Sequence, residues 1–172
     1  MTMNIMRTAA FIAAVISGNV IAADSVNVSV TGNIVASPCV FNGGNTSLDV
    51  NLGNIQATNM ATPGSLSDPV AFNLLFTLCP VGTRSVTATF SGTPDPVAGV
   101  GYYKNSGTAE NVAIAMTEMG SDALMGTGSS ITQNIAADRT ATLPMQARVK
   151  SVAGGATPGT ISAVVVLTMQ YN

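Results

Sequence analysis

An all-β sandwich is the fold class this sequence predicts, and three observations carry the prediction. Apolar residues recur at every second position in seven separate stretches, the period of a strand that buries one face. Clusters of Gly, Pro, Asn and Asp, the residues of tight turns, separate those stretches. No stretch beyond residue 22 sustains the spacing of an amphipathic helix.

The stretches follow in order. Val26, Val28, Val30 and Ile34 alternate with Asn27, Ser29, Thr31 and Asn33. Leu48, Val50 and Leu52 form a second set, ending before Gly53. Phe72, Leu74, Phe76 and Leu78 form a third, running to Cys79, and Val86, Ala88 and Phe90 a fourth, stopped by Ser91-Gly92. Val112, Ile114 and Met116 make the fifth; Leu143, Met145, Ala147 and Val149 the sixth. Pro144, which cannot donate to a ladder, predicts an edge or a bulge in the sixth. Ile161, Ala163, Val165, Leu167, Met169 and Tyr171 form the last and longest. Turns are expected at Asn42-Gly43-Gly44, Thr62-Pro63-Gly64, Thr93-Pro94-Asp95-Pro96, Gly126-Thr127-Gly128 and Gly154-Gly155. Many short strands at such spacing argue for two packed sheets. Two inner faces also accommodate a composition that is 47% hydrophobic and only 8% charged. No internal repeat and no long linker divides the chain.

Residues 1–22 read as a secretory signal peptide: one charge at Arg7, an apolar run from Thr8 to Ile16, then Ser17-Gly18-Asn19 and a cleavage site after Ala22. The run is about half the roughly 20 residues that a membrane anchor needs. Export places Cys39 and Cys79 in an oxidising compartment, so a structural disulfide between them is expected. Their spacing is not that of a C-x-x-C redox motif.

Composition excludes several chemistries. The chain has no histidine, so it has no His-dependent nucleophile and no His-ligated zinc. Two cysteines cannot build a four-cysteine metal site, so no metal or other cofactor is expected. Six scattered Lys and Arg in a chain of net charge −2 give no nucleic-acid surface. The carboxylates Asp49, Asp68, Asp95, Glu110, Glu118, Asp122 and Asp138 are widely spread and sit mostly beside turn residues, which argues against an acid/base pair and an enzyme. Gly120 to Ser130 is glycine-rich but lacks the ending of a phosphate loop. Met116, Met145 and Met169 fall at core-facing positions.

Two features sit poorly in a self-contained sandwich. The last strand runs to Asn172 with no turn and no strand after it. A sandwich lacking a strand there would leave a sheet edge unpaired and part of its core open. Ahead of Cys39, Gly32 stands in phase with the valines, where an apolar side chain would otherwise fall, which suggests a tight receiving surface. An ordinary first strand paired within its own domain and a strand given to a neighbouring chain both fit this pattern.

A further set of motifs bears on that choice. Cys79-Pro80-Val81-Gly82-Thr83, Val86-Thr87-Ala88, Phe90-Ser91-Gly92, Gly101-Tyr102-Tyr103-Lys104-Asn105 with Gly107-Thr108-Ala109, and Gly154-Gly155-Ala156-Thr157 are spread over the chain. With them stand Leu48-Asp49-Val50-Asn51-Leu52-Gly53, Gly159 before the last strand and the penultimate Tyr171. Together they resemble the pilins of the chaperone–usher class, in particular the minor tip (G) subunits of type 1 fimbriae. The loop from Thr93 to Val100 is longer and richer in proline, and Met119 to Asp138 matches poorly. A major rod subunit of the same class would share most of the marks and is the alternative.

The resemblance implies an incomplete immunoglobulin-like β-sandwich lacking its last strand, completed by donor-strand exchange. A periplasmic pilus chaperone would lend a strand and anchor the C-terminal carboxylate. At the outer-membrane usher, the N-terminal extension of a neighbouring fimbrial subunit would replace it. Residues 23–36 would be the donor extension, with Val26, Val28, Val30, Gly32 and Ile34 as donor residues, and 37–172 the pilin domain. Gly159, Ile161, Ala163, Val165, Leu167, Met169, Tyr171 and Asn172 would line the acceptor groove and contact the chaperone. Cys39–Cys79 would be the disulfide such chaperones favour. The product would be a cell-surface fimbrium that supports adhesion, with no small-molecule substrate. A sugar-binding adhesin, for which Tyr102-Tyr103-Lys104-Asn105 could supply aromatic faces, would need a second, lectin domain for which the chain leaves no room. These tyrosines are expected to pack over the sandwich edge.

Overall fold

The structure is a computed structural model that describes residues 24–35, 37–121 and 123–172. The expected signal peptide, residues 1–22, lies outside the described residues, as does Asp122 among the carboxylates considered above. The chain divides into two units after Asn33. In the first, residues 24–33 are exposed and carry no regular secondary structure.

The second unit, Ile34–Asn172, contains nine strands among the described residues: β1 (Val40–Phe41), β2 (Val70–Thr77), β3 (Ser85–Gly92), β4 (Pro94–Asp95), β5 (Gly99–Lys104), β6 (Val112–Glu118), β7 (Ser130–Asn134), β8 (Ala141–Ser151) and β9 (Val165–Tyr171). Every pairing is antiparallel. One sheet runs β1-β2-β8-β6-β5-β4 and the other β7-β3-β9. Their inward residues, among them Leu74, Phe76, Val86, Phe90, Leu143 and Met145, form one core. No helix among the described residues is long and apolar enough to cross a membrane.

Most of the alternation resolves as expected. Val86, Ala88 and Phe90 are fully buried in β3, and Leu143, Met145, Ala147 and Val149 are buried in β8. Four local readings change. Pro144 lies in β8, which is central between β2 and β6 rather than an edge. Its carbonyl accepts from Met119 N–H at 2.9 Å, one residue past the end of β6. Carbonyl and nitrogen of a strand residue share a side, so the missing N–H faces the place where β6 gives out, and no ladder bond is lost. Leu78 is exposed rather than inward, with a left-handed φ of 50°. The β1–β2 register sets Val40 opposite Thr77, so a regular continuation would bring Leu78 to Cys39. The turn at Leu78 puts Cys79 there instead, and the Cys39–Cys79 disulfide forms.

β6 is buried on both faces from Val112 to Thr117, although its pattern read as one-sided. Ala113 and Ala115 are small and lie between longer side chains of β5 and β8, which shield them. Tyr103 is in the core rather than over an edge: it is 1% exposed and its hydroxyl donates to the Met125 carbonyl at 2.7 Å. Burial pushes its pKa from 10.0 up to about 12.

Two predictions follow from this packing. A phenol whose folded pKa is raised favours the fold fully below its unfolded value. That contribution declines as pH rises from about 10 through about 12. Tyr103→Phe should abolish this component of the alkaline loss of stability and cost about 1–3 kcal/mol at neutral pH, since it leaves the Met125 carbonyl unpaired. Urea unfolding of both proteins across that pH range measures both effects. Replacing both cysteines by alanine removes a 40-residue closure. The expected loss is about 4 kcal/mol, read from the shift in unfolding midpoint.

Candidate strand-acceptor groove

β9 is an edge strand, and within the described residues it pairs with β3 alone. The register runs from Val86 opposite Tyr171 to Gly92 opposite Val165. Its inward side chains differ from those of β3 in one respect. In β3 Val86, Ala88 and Phe90 are sealed, whereas Val165, Leu167, Met169 and Tyr171 are only half-buried against the same core. Ile161 and Ala163 extend that half-buried row beyond the ladder. Partial burial raises the Tyr171 pKa above its ordinary value.

A second half-buried row comes from Leu48, Val50 and Leu52, which pack on this core while Asp49 and Asn51 are exposed. These residues were expected to form a strand, yet residues 45–56 have no strand assignment. The side chains adopt a strand's alternation, but among the described residues no ladder partner takes the backbone bonds. The two rows converge at one end, where Leu52 and Ile161 both pack on a smaller cluster of Met60, Ala109, Val112 and Val149. There a pocket of about 350 Å³ opens, lined by Ile55, Met60, Ala109, Val112, Pro158 and Ile161 among others. Apolar rows, an unpaired strand edge and a pocket between them provide what an added strand needs: backbone partners for its ladder and recesses for its alternate side chains.

The approach to β9 is tied to the loop 105–109. Asn105 makes four hydrogen bonds there: Nδ2 donates to the carbonyls of Ala109 (2.8 Å) and Thr160 (3.3 Å), and Oδ1 accepts from the N–H groups of Gly107 (3.0 Å) and Ser162 (2.8 Å). Thr108 and Thr160 add a reciprocal pair, the N–H of each donating to the hydroxyl oxygen of the other. Gly159 is required sterically: a Cβ there would overlap Ala109 N, with Thr108 Oγ1 only 2.7 Å away. At the other end Asn172 is fastened to β3; its N–H donates to Ser85 O at 3.0 Å, and its carbonyl accepts from Arg84 and Ser85 N–H.

The structure therefore brings Gly159, Ile161, Ala163, Val165, Leu167, Met169, Tyr171 and Asn172 along one run, with the odd-numbered members from Ile161 to Tyr171 facing the core. The donor candidates lie elsewhere in character. Val26, Val28, Val30 and Ile34 are more than four-fifths exposed, and a Cβ added at Gly32 would meet nothing within 4 Å. Sequence reasoning missed Leu48, Val50 and Leu52 as a wall of the groove, the pocket residues Ile55, Met60 and Pro158, and the tie at Asn105. Only the alternation at Leu48–Leu52 was a usable signal. Two carboxylates weighed for catalysis serve turns: Asp95 accepts from Val97 and Ala98 N–H, and Asp138 from Thr140 N–H.

A two-sheet antiparallel sandwich with an open last-strand edge is the architecture of chaperone–usher pilins. Comparison with known proteins agrees. The fimbrial protein family matches residues 28–172, and the chain belongs to that family, one of structural pilus subunits rather than enzymes. It is 37% identical over 163 residues to Protein FimG of Escherichia coli K12, covering 95% of this chain and 94% of that one. It is 37% identical over 145 residues to the S-fimbrial adhesin protein SfaS of Escherichia coli O6:K15:H31, covering 84% and 83%. Among solved structures, the P pilus rod subunit PapA superposes with a TM-score of 0.65 at 20% identity, covering 79% of this chain and all of that one. The chain is thus a fimbrial subunit of the chaperone–usher type with an incomplete immunoglobulin-like fold.

Asn105→Ala should loosen the 159–162 segment selectively. The expected result is faster amide hydrogen exchange at Gly107, Thr108 and Ser162, with β3 and β8 amides unchanged.

Proposed function

We propose that this chain is a minor tip adaptor, placed between the adhesin and the rod of a type 1-like fimbria, and that it assembles by donor-strand exchange. The observation that carries the proposal is the contrast within one sheet: Val86, Ala88 and Phe90 of β3 are sealed, while the neighbouring β9 keeps a half-buried inward row beside an edge unpaired among the described residues. Adhesion would be supported indirectly, by building the tip. The similarity to FimG over 95% of the chain supports the tip position over the rod position.

In this reading a periplasmic chaperone first covers the groove between the β9 row and Leu48–Leu52. The extension of a neighbouring subunit then takes its place at the outer-membrane usher. This chain's own extension does the same for its other neighbour. Val26, Val28, Val30 and Ile34 are exposed in the chain and gain burial only in a partner. Each would contribute roughly 1.5–3 kcal/mol, enough in sum to make the joint persistent. Gly32 fits the same account. No neighbouring atom requires a glycine there, so any steric demand comes from the receiving subunit.

Val30→Asp tests the donor role. Val30 is 88% exposed, so the substitution should leave the fold and chaperone co-purification intact. A buried unpaired carboxylate in the partner's groove should prevent incorporation. Immunoblots of fibres sheared from cells expressing the variant read the outcome; wild-type incorporation would sink the donor assignment.

A further inference from the structure

Of the nine methionines, Met1, Met3 and Met6 lie outside the described residues, and the fold treats the other six unequally. Met60, Met116, Met125 and Met145 are buried, none more than 8% exposed. Met119 is 44% exposed, one residue past the end of β6. Met169 differs from both groups. It faces the core yet stays half-buried, in the β9 row that borders the unpaired edge. Its partner across the ladder is Ala88, which ends at a methyl, so β3 does little to cover the longer side chain. Its thioether thus lines the core and is open to solvent at once, a combination no other described methionine has.

Few other groups in the chain are easily oxidised. There is no tryptophan, and Cys39 and Cys79 are bonded to each other, so no free thiol remains. Solvent-accessible thioethers are then the groups most open to a two-electron oxidant. Sulfoxide formation turns a flexible apolar side chain into a polar one whose oxygen seeks a hydrogen-bond donor. In an open groove, water supplies that donor. Beneath an added strand water is excluded, and the side chains of Ala88 opposite and Leu167 before it have no donor to offer. The sulfoxide would be buried unsatisfied.

We infer that Met169 is an oxidation site that controls whether the groove can take a strand. The inference rests on the strand-acceptor reading of β9. The oxidant is hydrogen peroxide. The Met169 sulfur attacks one peroxide oxygen, an S–O bond forms and the O–O bond breaks. The departing hydroxide takes the proton of the transferred oxygen and leaves as water. Sulfur is oxidised by two electrons and the peroxide is reduced. A filled groove covers the sulfur, and an oxidised sulfur keeps a strand out. A subunit oxidised before assembly is therefore withheld from the fibre, whereas one already joined is protected. Methionine sulfoxide reductases reverse the step.

The test exposes the full exported chain, free and in sheared fibres, briefly to hydrogen peroxide, and reads each methionine by peptide-mapping mass spectrometry. In the free chain Met169 should oxidise roughly tenfold or more faster than buried Met145. In fibres Met169 should slow by roughly tenfold or more, while Met119 keeps its rate. A fluorescent peptide of residues 24–35 then probes the free groove. Peroxide should weaken its binding by roughly tenfold or more without shifting the urea midpoint, which separates lost binding from lost folding. Met169→Leu should bind the peptide and keep binding it after peroxide; Met119→Leu should lose binding as the unsubstituted chain does. No peptide binding by the untreated chain, with Met169 oxidising equally in fibres and free, would overturn the groove reading and this inference with it. Peptide binding that survives Met169 oxidation, or that Met169→Leu loses equally to peroxide, would overturn the oxidation assignment alone.

Discussion

An unsatisfied strand edge beside an apolar core is costly in two ways at once, and the whole unit from Ile34 to Asn172 is arranged around that edge. Among the described residues the backbone groups on the free side of β9 lack ladder partners, and the side chains beneath them are only half withdrawn from water. Proteins ordinarily blunt such an edge with charge, proline or a bulge. Here the row from Ile161 to Tyr171 has none of these. An edge left flat and apolar is a template for pairing, and retaining it makes sense where pairing with another chain is the function.

The rest of the fold holds this edge in place. β9 is pinned along its other side by seven register positions with β3, whose Val86, Ala88 and Phe90 are fully buried. Its approach is tied by Asn105 and the close passage of Gly159 against Thr108, and its end by Asn172 on β3. The disulfide fastens the start of the unit to the end of β2. A groove rigid at these points can accept a strand without first ordering itself, which lowers the entropic cost of the joint.

Fold class and the disulfide pair were legible from the residues because a period of two and a lone pair of cysteines each have one simple structural meaning. Val86, Ala88 and Phe90, or Leu143 to Val149, needed nothing more. Errors arose where the meaning of a pattern depends on a neighbour. Leu48, Val50 and Leu52 alternate like a strand, but a strand is a relation between two backbones, and the second is missing among the described residues. Pro144 suggested an edge because local chemistry cannot know that β6 ends beside it. Leu78 was in phase, but one left-handed residue reverses the face.

Periodicity and cysteine count, read along the chain, thus determined that this protein is a β-sandwich with one disulfide staple. Those properties are local or additive, so they survive without coordinates. Only the tertiary structure decided that the open edge falls at β9 and that Leu52 and Ile161 meet over one small cluster. Each depends on which strands become neighbours. Neighbourhood across a sheet is set by the lowest-energy packing of the whole chain, not by any segment read alone.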